Sequence, residues 1–342
     1  MIRLTRRTKF LKLERKINIP NAWGELSGDQ YVDIIKLAVW FTNGLISLPS
    51  FRLQALKVLS GYKRRKRGLS KEKRATINAN LVILSGMVTF PVRPEYKTPE
   101  YLEILSPGLQ KRLKENFPSE IYDPEYFNEL EMVKNNLEAV PVINLDFRCN
   151  PLPVIQGKYK GPVFDVDKNG VVTTDIIALE FIDAAQFADL YYQTREESYL
   201  GCLVSVLYRK NRKEYGTYGA MATSKNFEKL SVYTKYGALF FFQSIIYYLS
   251  NHPQYGILYE KPGTEDQPRA PKLELGLASV MAQLTKEGFG TRTEIEHLPL
   301  GDYLTLLLKQ ISDAVKTLRD IKKKDHEIAG QLQLSINTVR KI

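Results

Sequence analysis

Asp165, Asp167 and Asn169 alternate along the chain and Gly170 follows them. Oxygen ligands at the first, third and fifth positions ahead of a turn glycine are what a calcium loop needs. The position that would close the shell with a bidentate Glu is Ile176, and Pro162 stands just before the loop. The same residues also read as an Asn-Gly turn between two short strands, 163–164 and 171–172. No metal is assigned to them. A second chemistry-bearing run is Lys63, Arg64, Arg65, Lys66 and Arg67, five consecutive cations ahead of Gly68. Such a run releases counterions when it meets phosphates, so its affinity would fall steeply with salt. Its aromatic neighbours are few, chiefly Tyr62, so it is no stacking platform for bases. It equally suits a solvated loop between helices.

Patterns for bond-making chemistry are missing from the sequence. There is no Walker-type phosphate loop, no G-x-S-x-G elbow and no H-E-x-x-H. The pairs Glu196-Glu197 and Glu265-Asp266 lie in polar stretches and read as surface charge rather than acid–base machinery. His252, His297 and His326 are far apart, and Cys149 and Cys202 are the only cysteines. That spacing holds no zinc, and two thiols in 342 residues form no disulfide framework, which points to a reducing compartment. We expect a protein that is no enzyme and takes no cofactor.

Charge is the next constraint. The chain carries a net +11, but residues 1–75 hold 18 Lys/Arg against 5 Asp/Glu, and the remainder is close to neutral. One basic surface that meets phosphates, an anionic surface or an acidic partner is expected, or else charged loops around a neutral body. The basic start lacks the apolar region of a secretory signal. The longest apolar run, 237–249, is broken by Gln243 and is too short to cross a bilayer, so no membrane insertion is expected.

The elements that must position these residues read as mainly α, helical bundles with a few short strands near 16–20 and 140–175. The parts are a basic helical region (1–90), Pro-punctuated short helices (91–140), a linker-like crossing (141–170), a helical core domain (171–320) and a helical tail (321–342). Ser27 with Gln30 forms a capping-box pattern, and that helix should end near Asn43-Gly44. Further helices are predicted over 51–59 and 71–87. Pro99, Pro107 and Pro124 each stand where a short helix should begin. Two helices should carry Leu179 to Tyr191 and Tyr199 to Leu207. Ser224 should cap a third that runs to Pro253, and two more should cover 273–286 and 300–319.

The C-terminal stretch from His326 to Ile342 resembles the helix-turn-helix of bacterial response regulators and sigma factors, whose pattern is E-I-A-x-x-L-x-[L/I]-S-x-N-T-V-[R/K]. Gln333 stands where that pattern usually has glycine. The resemblance implies that Ala329 allows a close helix crossing, that Leu332, Leu334 and Val339 fill the space between helices, and that Ser335 caps the second one. Asn337, Thr338, Arg340 and Lys341 would then face the major groove. Two other stretches, 187–209 and 277–310, are similar in style to tail-assembly proteins of tailed phages and prophages. That likeness implies a noncatalytic structural or assembly protein that binds other virion proteins through helix faces. It would be cytoplasmic, or virion-associated in a bacterial host. The candidate partner surface is Phe187, Tyr191, Tyr192, Phe241, Phe242, Tyr247 and Tyr248. DNA binding through the C-terminal motif and the basic N-terminal region is the competing reading.

Overall fold

The computed structural model describes residues 2–7, 14–62, 70–96, 103–136, 139–210, 212, 215–259, 284–286, 288–332 and 334–342. The five cations at 63–67, the Pro99 helix start and most of the helix expected over 273–286 lie outside the described residues. The fold is mainly helical, and its described strands form four separate antiparallel pairs. The chain divides into two compact units, residues 1–145 and 146–342, and the cut falls within the expected crossing at 141–170.

The first unit begins with a hairpin of β1 (Ile2–Arg7) and β2 (Glu14–Ile19). Ser27 then caps α1 (Gly28–Thr42) through the expected capping box with Gln30. Tyr31, Ile34, Ile35 and Ala38 recur at three and four and are buried, which fixes one face of α1 against α2 (Leu48–Leu59). Trp23 closes this core. Its ring meets Tyr31 and Phe90 edge-on, and its Nε1 donates to the Asn144 carbonyl at 3.0 Å. Beyond α2, α3 (Lys71–Ser85) buries little more than Ser85. Among the described residues β3 (Val92–Tyr96) pairs only with β4 (Ala139–Ile143), and Pro94 and Pro141 face each other in this two-stranded pair. Between them α4 (Pro107–Glu115) and α5 (Phe127–Asn136) enclose a second core of Tyr96, Leu105, Leu109, Leu113, Ile121, Leu130 and Val133. Pro107 opens α4 as expected, whereas Pro124 opens a 3₁₀ turn ahead of α5.

The second unit starts with two small hairpins, β5 (Val154–Ile155) with β6 (Tyr159–Lys160), and β7 (Phe164–Val166) with β8 (Val172–Thr174). The turn of the latter is Asp167–Gly170, centred on Lys168-Asn169 rather than on the expected Asn169-Gly170: the Gly170 amide donates to the Asp167 carbonyl at 3.1 Å, and Gly170 follows in the left-handed position at φ +82°. Asp167 Oδ1 accepts the backbone N–H groups of Asn169 and Val171, both at 2.8 Å, so this carboxylate oxygen holds the turn together.

Then come α6 (Ala178–Thr194), α7 (Glu197–Leu207), α8 (Thr217–Thr223) and α9 (Val232–Asn251). α7 packs against both α6 and α9. Their core sets Phe181 against Phe242, with the rings tilted 53° to each other, and Phe164 edge-on to Phe241. The sequence placed the cap of the last helix at Ser224. The structure corrects this to Ser231, whose Oγ accepts from the Tyr233 amide, while residues 224–227 form a 3₁₀ turn. A buried polar cluster ties the segment after α7 to α6. Arg209 and Arg212 each donate to the Glu180 carboxylate at 2.9 Å. Tyr215 and Thr217 donate to Asp183, both at 2.6 Å. The unit continues with α10 (Arg292–Glu296), capped by Thr291 and Glu294, then α11 (Leu300–Asp320), α12 (Asp325–Leu332) and α13 (Ile336–Lys341). Among the described residues no helix is long and apolar enough to cross a membrane.

Candidate nucleic-acid interface

α11 is one amphipathic helix that serves two cores. Its first turns bury Leu300, Tyr303, Leu304 and Leu307, and its last turns bury Val315 and Leu318. The second set joins Ile328 and Ala329 of α12 and Val339 of α13, with Ile311, Leu332, Leu334 and Ile342 packed around them. The C-terminal tail is therefore a three-helix element, and α11 supplies the helix that packs behind the two the sequence suggested. Ala329 is buried at the crossing, where a small side chain lets the helices approach.

Local chemistry sets each turn of this element. α11 ends with the Lys322 amide donating to the Arg319 carbonyl at 2.8 Å and the Lys323 amide to Leu318 at 3.1 Å, the Schellman pattern. Lys322 occupies its left-handed position at φ +62°. Glu327 reaches back to accept the Lys324 amide at 2.9 Å. That hydrogen bond is the main reason its carboxyl lies below the usual carboxylate value. Ser335 caps α13, its Oγ accepting the Thr338 amide at 2.9 Å. Arg319 donates to the Val339 carbonyl at 2.7 Å, which places a cation where the helix end is electronegative.

The expected groove-facing residues divide. Asn337, Arg340 and Lys341 are exposed, as is Ile336, which sequence reasoning did not select. Thr338 is a correction. It is fully buried, held inward by its contact with Ser335 at 2.8 Å, and faces no groove. Ile336, Asn337, Arg340 and Lys341 follow one another at one and three residues, so they share one side of α13, opposite Thr338 and Val339. An amide, a guanidinium and an ammonium on one helix side offer hydrogen-bond donors and positive charge to base edges or phosphates. Residues 311–342 hold seven Lys/Arg against four Asp/Glu. Arg319 was also missed. A cation in the last turn of a helix was visible in the sequence, but its partner on α13 was not.

The expected partner surface does not form. Phe241 and Phe242 are fully buried, and Phe187 and Tyr191 nearly so, because these rings fill the core between α6, α7 and α9. Tyr191 also shares its hydroxyl with Tyr236 at 2.7 Å. Tyr247 and Tyr248 are half-buried, and Tyr248 donates to the Gly170 carbonyl at 2.6 Å. Of this set only Tyr192 is exposed, with its hydroxyl accepting from Gln243. Aromatic spacing on a helix identifies an apolar face but cannot say whether that face is covered from within. No protein-family model, curated protein or solved structure matches this chain.

Proposed function

We propose that this is a noncatalytic binding protein that engages duplex DNA through the three-helix element of α11, α12 and α13. One observation carries the reading: Asn337, Arg340 and Lys341 stand exposed on one side of α13 while Thr338 and Val339 anchor its other side in a closed core. A short helix held in this way is what a major groove accepts. The test is fluorescence anisotropy with duplex DNA over a salt series. Arg340→Ala should weaken binding and flatten the salt slope by about one unit if Arg340 meets a phosphate. Asn337→Ala should relax base preference at one position, at a cost of about 1–3 kcal/mol. Deleting 325–342 would bare Val315 and Leu318, so point variants are the cleaner probes. Unchanged affinity, slope and preference in both variants would sink the proposal.

A second reading is the assembly protein of tailed-phage type, acting in the cytoplasm or on a virion. Its support comes from an unexpected place, the end of α3, where Val82 and Ile83 are 58% and 74% exposed and Met87 follows at 44%. Apolar side chains left open side by side on a helix suit a protein partner. A strictly monomeric chain that retains no tail protein on a column would remove this reading.

A further inference from the structure

A groove of about 480 Å³ lies between the β7–β8 hairpin, the end of α9 and the first turn of α11. Its size is that of a small-ligand site. Phe164, Leu249, Leu300 and Leu304 give it an apolar floor, and all four are buried. One wall is a pair of rings: His252 stacks on Tyr255 with centroids 4.8 Å apart and planes 25° from parallel. Across the lining, Asp302 contributes a carboxylate from the first turn of α11. The His252 ring adds a donor rather than a charge. Its Nδ1 accepts the Gln254 amide at 3.2 Å, which leaves the proton on Nε2, and burial lowers its pKa. The half-charge of the α11 N-terminus opposes a cation, but one full carboxylate outweighs it.

We propose that this groove binds a planar cation of the amidinium or guanidinium class, with the cation on Asp302 and its flat body along the His252–Tyr255 rings. Three features fit together in that ligand. A carboxylate takes a forked N–H donor in two parallel hydrogen bonds. Stacked rings take a flat delocalised cation on their faces. The apolar floor takes the carbon part. The source is a free small molecule or an arginine side chain of a peptide, which share this chemistry. The site lies away from the helix proposed to meet DNA and does not depend on that reading.

Ligand-observed NMR on the full chain tests it, with benzamidine, its neutral counterpart benzamide, and N-acetylarginine amide as probes. Benzamidine should bind saturably and benzamide about fivefold more weakly, the effect of one partly solvated charge pair. Asp302→Asn should bring the two to equal affinity, and Val171→Trp, at the exposed rim, should weaken both. N-acetylarginine amide binding more tightly than benzamidine would identify a peptide side chain as the source, and the reverse order a small molecule. Equal binding of benzamidine and benzamide to the unaltered chain, no saturation, or no effect of either substitution overturns the proposal. Asp302 is exposed but stands in the first turn of α11, so its replacement should lower the thermal midpoint only slightly, through the loss of one negative charge at a helix N-terminus.

Discussion

A Cβ on Gly161 would sit 2.6 Å from both the Asn150 amide nitrogen and a Tyr208 ring carbon. Tyr208 is fully buried and Asn150 donates to the Pro162 carbonyl at 3.0 Å, so neither can move aside freely. Gly161→Ala should therefore cost about 1–3 kcal/mol, read as a lower urea midpoint with an unchanged slope. Glu180 carries a different kind of strain. Burial, opposed by Arg212 and Arg209, pushes its carboxyl up to about 7. A carboxyl whose folded value lies above its unfolded one adds stability at low pH. That contribution is complete below about pH 4.5 and is lost as pH rises toward 7. Glu180→Gln should abolish this slope. At pH 5 it should cost little, because the neutral amide stands in for a carboxyl that is already protonated there. Denaturation midpoints at pH 5 and pH 8 check both points. Single residues were the least legible feature of the sequence. Asn337 and Thr338 are adjacent and similarly polar, yet one is exposed and the other buried. Only the packing of α11 behind α13 decides between them.

Helix ends were more legible, because caps are local chemistry. The Ser27–Gln30 box and the stop at Asn43-Gly44 both follow from residue types alone. Gly44 and Gly61 take the left-handed position that closes a Schellman turn, at φ +70° and +60°. α11 closes with the same turn but places Lys322 there, at φ +62°. A side chain in that conformation costs about 1–2 kcal/mol, part of which glycine returns as chain entropy in the unfolded state. Lys322→Gly should thus stabilise the C-terminal element by about 0.5–1 kcal/mol, visible as a higher midpoint in thermal unfolding. A lower midpoint would mean that the Lys322 side chain contributes more than its backbone costs. The misplaced cap of α9 marks the limit of this local logic. Ser224 and Ser231 both precede apolar runs, but the Ser224 hydroxyl donates back to the Met221 carbonyl at 2.7 Å and only Ser231 accepts from the following turn. α8 was missed for a related reason: it is seven residues long and buries only Ala220, too little for a periodic signal.

At the scale of the molecule, charge separates along the chain more cleanly than structure does. Residues 1–145 hold 24 Lys/Arg against 15 Asp/Glu, and residues 146–342 hold 25 against 23. The mainly helical class was legible because Pro, Gly and period-3.6 spacing act over short distances. The burial of the aromatic helices was not, since it depends on which helix faces meet. The charge imbalance turns this into a measurement. A neutral second unit that carries the exposed side of α13 can supply base preference, while a basic first unit can supply phosphate contacts without reading sequence. The full chain should then bind duplex DNA with a steeper dependence of log affinity on log salt than residues 146–342 alone. The difference should be about 0.9 for each phosphate that the first unit neutralises. Base preference should be the same for both. Equal slopes would confine DNA contact to the C-terminal element and leave the N-terminal cations as solvated surface. A preference present only in the full chain would move the reading surface out of α13 altogether.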